Sequence, residues 1–178
     1  MQNFYVISGG PGVGKTTVLN ELKNRGYKTV SEDARRIIEQ QIQINGEGLP
    51  WKDKKLFTQL MFNASVETYN TNSLMHKEIV FFDRSILDTV GYSNMIGLKL
   101  THEMLIAVRK YRYNSKAFIL PPWFEIYETD DARKQTWEEA IESFERIKKT
   151  YLEYDYHLMI VEPDSVVKRA DFILASID

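Results

Sequence analysis

A chain of 178 residues with a formal net charge of -2 has no global attraction for nucleic acid or for an anionic membrane surface. Its 43% hydrophobic and 27% charged residues are ordinary for a globular protein, and the length suits one domain, 1–178, with a full core. With no cysteine, disulfides and thiolate metal sites are excluded, which fits a reducing cytosol.

The chain opens on Phe4-Tyr5-Val6-Ile7, an aromatic and β-branched run that reads as a buried strand. Next comes Gly9-Gly10-Pro11-Gly12-Val13-Gly14-Lys15-Thr16, a complete G-x-x-x-x-G-K-[ST] loop. No signal-peptide core fits before this loop, and no apolar run approaches the roughly 18 residues that span a bilayer. Its glycines let consecutive N–H groups turn inward, and the helix behind it adds a positive end, so the loop suits a polyphosphate. Gly9 to Thr16, with Thr17 beside them, are the expected nucleotide-binding residues. Lys15 is placed to reach the terminal phosphates, and Thr16 to take one position on Mg²⁺. Val18, Leu19 and Leu22 recur at helical spacing, and Gly26 offers the stop.

Tyr27 to Val30 is a second expected strand, ending at Ser31-Glu32-Asp33. Ser31 is a candidate N-cap for a helix carrying Ile37, Ile38 and Ile42 on one face. A loop over 45–50 leads to a longer helix, about 52–74. The third strand, Ile79 to Phe82, is apolar throughout and ends in Asp83. Helices over 86–96 and 101–113 come after it, and then a strand over 117–120 that Pro121-Pro122 stops. Residues 123–135 lack periodicity and read as a mobile loop, part of a lid over 123–140. Trp137, Ala140, Ile141, Phe144, Ile147 and Tyr151 mark a helix, with Thr136 and Glu139 at capping-box spacing. A fifth strand, 157–161, and a last helix through Val166, Ala170 and Ile173 complete the pattern.

Strands alternating with helices imply a three-layer α/β/α fold with a five-stranded parallel sheet; the glycine loop makes it a P-loop NTPase fold, and the resemblance given below implies its kinase-like form. Ligands then bind beyond the carboxyl ends of the strands, where the glycine loop, Glu32, Asp83 and the Pro121-Pro122 turn all fall. Asp83 has a Walker-B position and suits Mg²⁺; the competing reading is an acid that caps the next helix. Arg84 suits a phosphate or an acceptor, against a structural ion pair. Glu32 suits a general base, against helix capping. Arg133, with Lys134 beside it, suits a cation that closes on the transferring phosphoryl group, against solvated surface. His76, His102 and His157 have no metal-ligand spacing. Trp51, Phe57, Tyr69 and Tyr92 line either an acceptor pocket or the core.

The segments Val6 to Thr17, Ser31 to Ile38 and Phe82-Asp83-Arg84-Ser85 resemble the small predicted ATPase/kinase family that includes ribosylnicotinamide-kinase-like P-loop domains. Ile119 to Trp123 and Tyr127 to Arg133 are similar to the lid region of that group. The Asp83-Arg84-Ser85 triplet also resembles the acid-Arg-Ser signature of deoxynucleoside kinases. That resemblance implies ATP use with Glu32 as base and Arg133 as lid arginine, although the closely spaced arginines of the deoxynucleoside-kinase lid are missing here. The expected activity is transfer of the ATP γ-phosphoryl group to a nucleoside- or nucleotide-like hydroxyl. Hydrolysis stimulated by a protein or nucleic-acid partner, or nucleotide binding without catalysis, remains open. A large AAA-type motor is not expected, because no separate helical lid domain is evident, and no Asn/Thr-Lys-x-Asp guanine-reading motif is present.

Overall fold

The computed structural model describes residues 3–75, 78–126 and 136–177. Five strands, β1 (Phe4–Gly9), β2 (Lys28–Val30), β3 (Val80–Asp83), β4 (Lys116–Leu120) and β5 (His157–Ile160), form one parallel sheet in the order β2-β3-β1-β4-β5. Every residue of β1 is buried, because parallel strands are covered on both faces.

The pleat splits the apolar residues between two layers. Tyr5, Ile7, Phe81 and Phe118 face α1 (Lys15–Asn24) and α7 (Val166–Ala175), meeting Val18, Leu22 and Ile173. Val6, Phe82 and Ile119 face the other layer, with Phe62 of α3 (Lys54–Met75), Leu87 of α4 (Ile86–Met95), Met104 of α5 (His102–Lys110) and Tyr151 of α6 (Trp137–Glu153). Phe81 and Phe118 are completely buried, worth about 1.5–3 kcal/mol each relative to exposure. The helix α2 (Asp33–Gln43) packs Ile37 on Phe57, Met61 and Ala64 of α3.

Several boundaries differ from the sequence expectation for identifiable reasons. β1 runs on to Gly9, which pairs with Leu120 of β4. Ser31 does not cap α2; Glu32 occupies the cap position and makes no side-chain cap bond, because its carboxylate is taken by Arg84. α5 stops at Lys110, and the Tyr113 amide instead donates to the Tyr156 hydroxyl. The α6 capping box of Thr136 and Glu139 forms as expected. In the expected lid, Phe124–Ile126 make one 3-10 turn and residues 137–140 are the first turn of α6. Arg133, Lys134 and His76 lie outside the described residues.

β1 is central, and its neighbours β3 and β4 lie on opposite sides. The glycine loop leaves the carboxyl end of β1 with Asp83 in register beside Ile7. Lys15 of the glycine loop, Glu32 and Asp83 therefore converge on one crevice.

Candidate active site

The loop between β1 and α1 is shaped by positive φ angles. Gly14 occupies the N-cap of α1 at φ 81 and offers no side chain to the helix amides. Those amides and the helix dipole are left for an anion. A Cβ at Gly9 would meet the Leu120 carbonyl oxygen at 2.6 Å, and one at Gly14 would meet the Arg169 guanidinium at 2.8 Å. Gly14→Ala is therefore expected to destabilise the fold by about 1–2 kcal/mol from the left-handed backbone alone. Thermal unfolding reads this as a lowered Tm; an unchanged Tm would show that position 14 tolerates a side chain.

Lys15 is only 7% exposed. Its Nζ donates to the carbonyls of Gly9 (3.0 Å) and Gly10 (2.7 Å), folding the side chain back over its own loop. Burial, and then the nearby Arg84 guanidinium, bring its pKa down to about 8.

At the end of β3, Oδ1 of Asp83 is buried and has no hydrogen-bond partner. Burial pushes its carboxyl up to about 6, with the Lys15 ammonium offsetting part of the rise. Asp83 does not cap α4. Ser85 does so, in a capping box with Asp88. The competing role for Asp83 is thereby already filled.

Arg84 has a left-handed backbone, φ 69, which costs a non-glycine residue about 1–3 kcal/mol. Its amide donates to the Ile7 carbonyl at 3.0 Å. Its Nε donates to Glu32 at 2.7 Å and its Nη1 to Asp88 at 3.2 Å. Burial disfavours the guanidinium charge, but Glu32, Asp88 and Asp83 outweigh it and hold its pKa above the ordinary value. The ion pair considered as an alternative for Arg84 is thus real, and it sits within the crevice.

Beside these groups lies a cavity of about 240 Å³. Phe57, Met61, Tyr92 and Met95 give it apolar walls, and Phe57 and Tyr92 meet edge to face with centroids 5.8 Å apart. Glu32, Arg84 and Asp88 form its polar lining, and Arg146 of α6 also borders it, paired with Glu142. Of the four aromatic residues suggested for a pocket, Phe57 and Tyr92 line it. Tyr69 is core and Trp51 is exposed.

A family model described as AAA domain matches residues 4–169. The chain belongs to this AAA domain family. No curated protein matches the chain. Among solved structures, NadR protein in complex with NR is similar at 18% identity with a TM-score of 0.70, over 97% of this chain and 50% of that one. The chain thus spans half the length of the NadR chain. Deoxyadenosine kinase from M. mycoides with bound dATP is similar at 18% identity and a TM-score of 0.59, over 98% of both chains. Thymidylate kinase from Ehrlichia chaffeensis is similar at 16% identity and a TM-score of 0.63, also over 98% of both. At these identities the likeness shows a shared P-loop kinase fold.

Within this AAA domain the sequence-expected residues Lys15, Glu32, Asp83 and Arg84 meet at one crevice, and Thr16 is exposed on the first turn of α1. Three further participants emerge only from the structure. Asp88 accepts from Ser8, Arg84, the Ser85 amide and Tyr151. Its only sequence signal is the Ser85–Asp88 spacing of a capping box. Tyr151 reads from the sequence only as an apolar-face position of its helix. Arg169 is 5% exposed; its Nη2 donates to the Val13 carbonyl at 2.8 Å and its guanidinium lies 5.4 Å from the Trp123 ring centroid. No motif marks it.

The two shifted groups give opposite pH effects on stability. Folded Asp83 keeps its proton from pH 3.8 to about 6, where the unfolded chain has released it, so stability falls as pH rises through that window. Folded Lys15 releases its proton near 8, while the unfolded chain holds it to 10.5, so stability rises again between those values. Thermal unfolding of native protein and Asp83→Asn across pH checks the acid limb. The variant should lose the fall between 3.8 and 6.

Proposed function

We propose that this protein is a kinase that transfers the γ-phosphoryl group of ATP to a hydroxyl of a nucleoside-like small molecule. One observation carries the reading: Glu32 and Arg84 are paired at 2.7 Å in the wall of a largely apolar cavity, at the strand edge that also bears the glycine loop. A base and a cation serve attack by water or by a hydroxyl alike, but an apolar cavity beside them suits an acceptor held in place for transfer.

In this reading the backbone N–H groups of residues 12–16 and the Lys15 ammonium hold the triphosphate. Lys15 exchanges its two carbonyl partners for phosphate oxygens. Mg²⁺ fits the residues present, since Asp83 Oδ1 is a buried acceptor without a partner. Thr16 and Asp83 would hold it, and when bound it would supply charge neutralisation on the β- and γ-phosphates. Glu32 accepts the proton of the acceptor hydroxyl, using the carboxylate oxygen that does not face Arg84. The hydroxyl oxygen then bonds to the γ-phosphorus as the bond to the bridging oxygen breaks, and ADP leaves. Arg84 neutralises charge on the transferring group, and Arg133, in the segment before α6, is assigned the same task.

A nucleoside is favoured over a nucleotide. Phe57 and Tyr92 suit a flat aromatic ring. Among the described residues, two cations border the cavity: Arg84, which this reading gives to the transferring group, and Arg146, which is paired with Glu142, so neither is left for a phosphate on the acceptor. The composition suits the cytoplasm, where ATP is abundant.

Labelled ATP with Mg²⁺, offered with a panel of nucleosides and nucleoside monophosphates, tests the reading. Label is expected in a nucleoside monophosphate. Label released only as inorganic phosphate would overturn it in favour of partner-stimulated hydrolysis.

A further inference from the structure

Asp88 joins four parts of the fold through one carboxylate. Its Oδ1 accepts from the Ser8 hydroxyl, one residue before the glycine loop, and from Arg84 Nη1. Its Oδ2 accepts from the Ser85 amide at 2.8 Å and from the Tyr151 hydroxyl. Tyr151 is completely buried, and its hydroxyl also lies 2.7 Å from Ser85 Oγ. Four-residue spacing puts Ser143, Ile147 and Tyr151 on one face of α6, and all three border the acceptor cavity. The helix that walls the cavity is therefore bonded to the carboxylate that orients Arg84.

Arg84 needs such an anchor. Its left-handed backbone is not one that its own conformational preference selects, and two carboxylates fix its guanidinium. Glu32, as the base of the proposed reaction, has its own task. Asp88 is then the anchor whose geometry the rest of the fold sets.

We propose that Tyr151 is a positioning residue that acts through Asp88 on Arg84, so that the seating of α6 against an acceptor sets the cation that meets the phosphoryl group. The proposal rests on the kinase reading for its catalytic consequence. Its structural content, that the Tyr151 hydroxyl holds Arg84, stands on the hydrogen bonds alone.

Tyr151→Phe separates the hydroxyl from the ring. It keeps the edge-to-face contact with Tyr156, whose centroid lies 5.5 Å away. Exchange of the Arg84 Nη1 protons, which face Asp88, monitored by NMR on arginine-labelled protein, reads the anchor without any turnover. In the variant that exchange should quicken by about tenfold or more, as expected for losing a hydrogen bond to a charged group. In the transfer assay kcat should fall by about the same factor with the KM for ATP unchanged. In an Arg84→Ala background Tyr151→Phe should cause no further loss of kcat, which a merely structural role would not predict. Should the variant fail to fold, Asp88→Asn offers the same exchange readout with the side-chain shape kept. Unchanged Arg84 exchange, or an equal loss of kcat in both backgrounds, would overturn the proposal. Absence of transfer by the native protein would overturn the kinase reading instead, and the exchange measurement would still decide on the anchor.

Discussion

Lys15→Ala is expected to lower phosphoryl transfer by about 100- to 1000-fold, the scale on which one preorganised charge donor at a reacting group counts. The native Nζ is held at 2.7–3.0 Å from two carbonyls of its own loop and is nearly inaccessible. Its charge is costly in that position, as the lowered pKa shows, and a phosphate is the natural partner to relieve the cost. Removing it leaves the Gly9 and Gly10 carbonyls without the donor but takes away a buried charge, so the fold should survive. Circular dichroism and thermal unfolding check the fold, and initial rates check the transfer. Native-like turnover would exclude Lys15 from the chemistry.

Glu32→Gln is expected to reduce transfer by about 100- to 10,000-fold, the contribution of a positioned general base. The substitution is chosen because Glu32 also pairs with Arg84. Glutamine keeps a carbonyl oxygen able to accept from Arg84 Nε and keeps the side-chain length, so Arg84 should stay in place while the base is lost. Nucleotide binding by calorimetry should therefore be unchanged. An unchanged transfer rate would assign the proton to another group.

The strands and the glycine loop are legible in the sequence because their signals are local. A run such as Val80-Phe81-Phe82-Asp83 needs no knowledge of its neighbours to read as a covered strand with an acid at its end. Glu32 and Arg84 are legible as strand-end groups, but their pairing is not, because 52 residues separate them. The same applies to Asp88 with Ser8 and Tyr151, which topology alone brings together. Ser31 misleads as a cap for a related reason. Capping preference is local, but the start of α2 is set by where the Glu32 carboxylate is drawn. Arg169 shows the limit from the other direction. A buried arginine on an otherwise apolar helix face carries no motif, and only the fold reveals that it supports the Val13 carbonyl of the glycine loop.

The proposed chemistry requires the β1–α1 loop to hold a triphosphate beside the Asp83–Arg84 strand end. A crystal structure with a non-hydrolysable ATP analogue and Mg²⁺ tests this most directly. Phosphate oxygens are expected against the backbone N–H groups of residues 12–16, with Lys15 Nζ moved from the Gly9 and Gly10 carbonyls onto them and Asp83 facing the metal. A loop without phosphate, with Lys15 still bonded to its own carbonyls at saturating nucleotide, would contradict it.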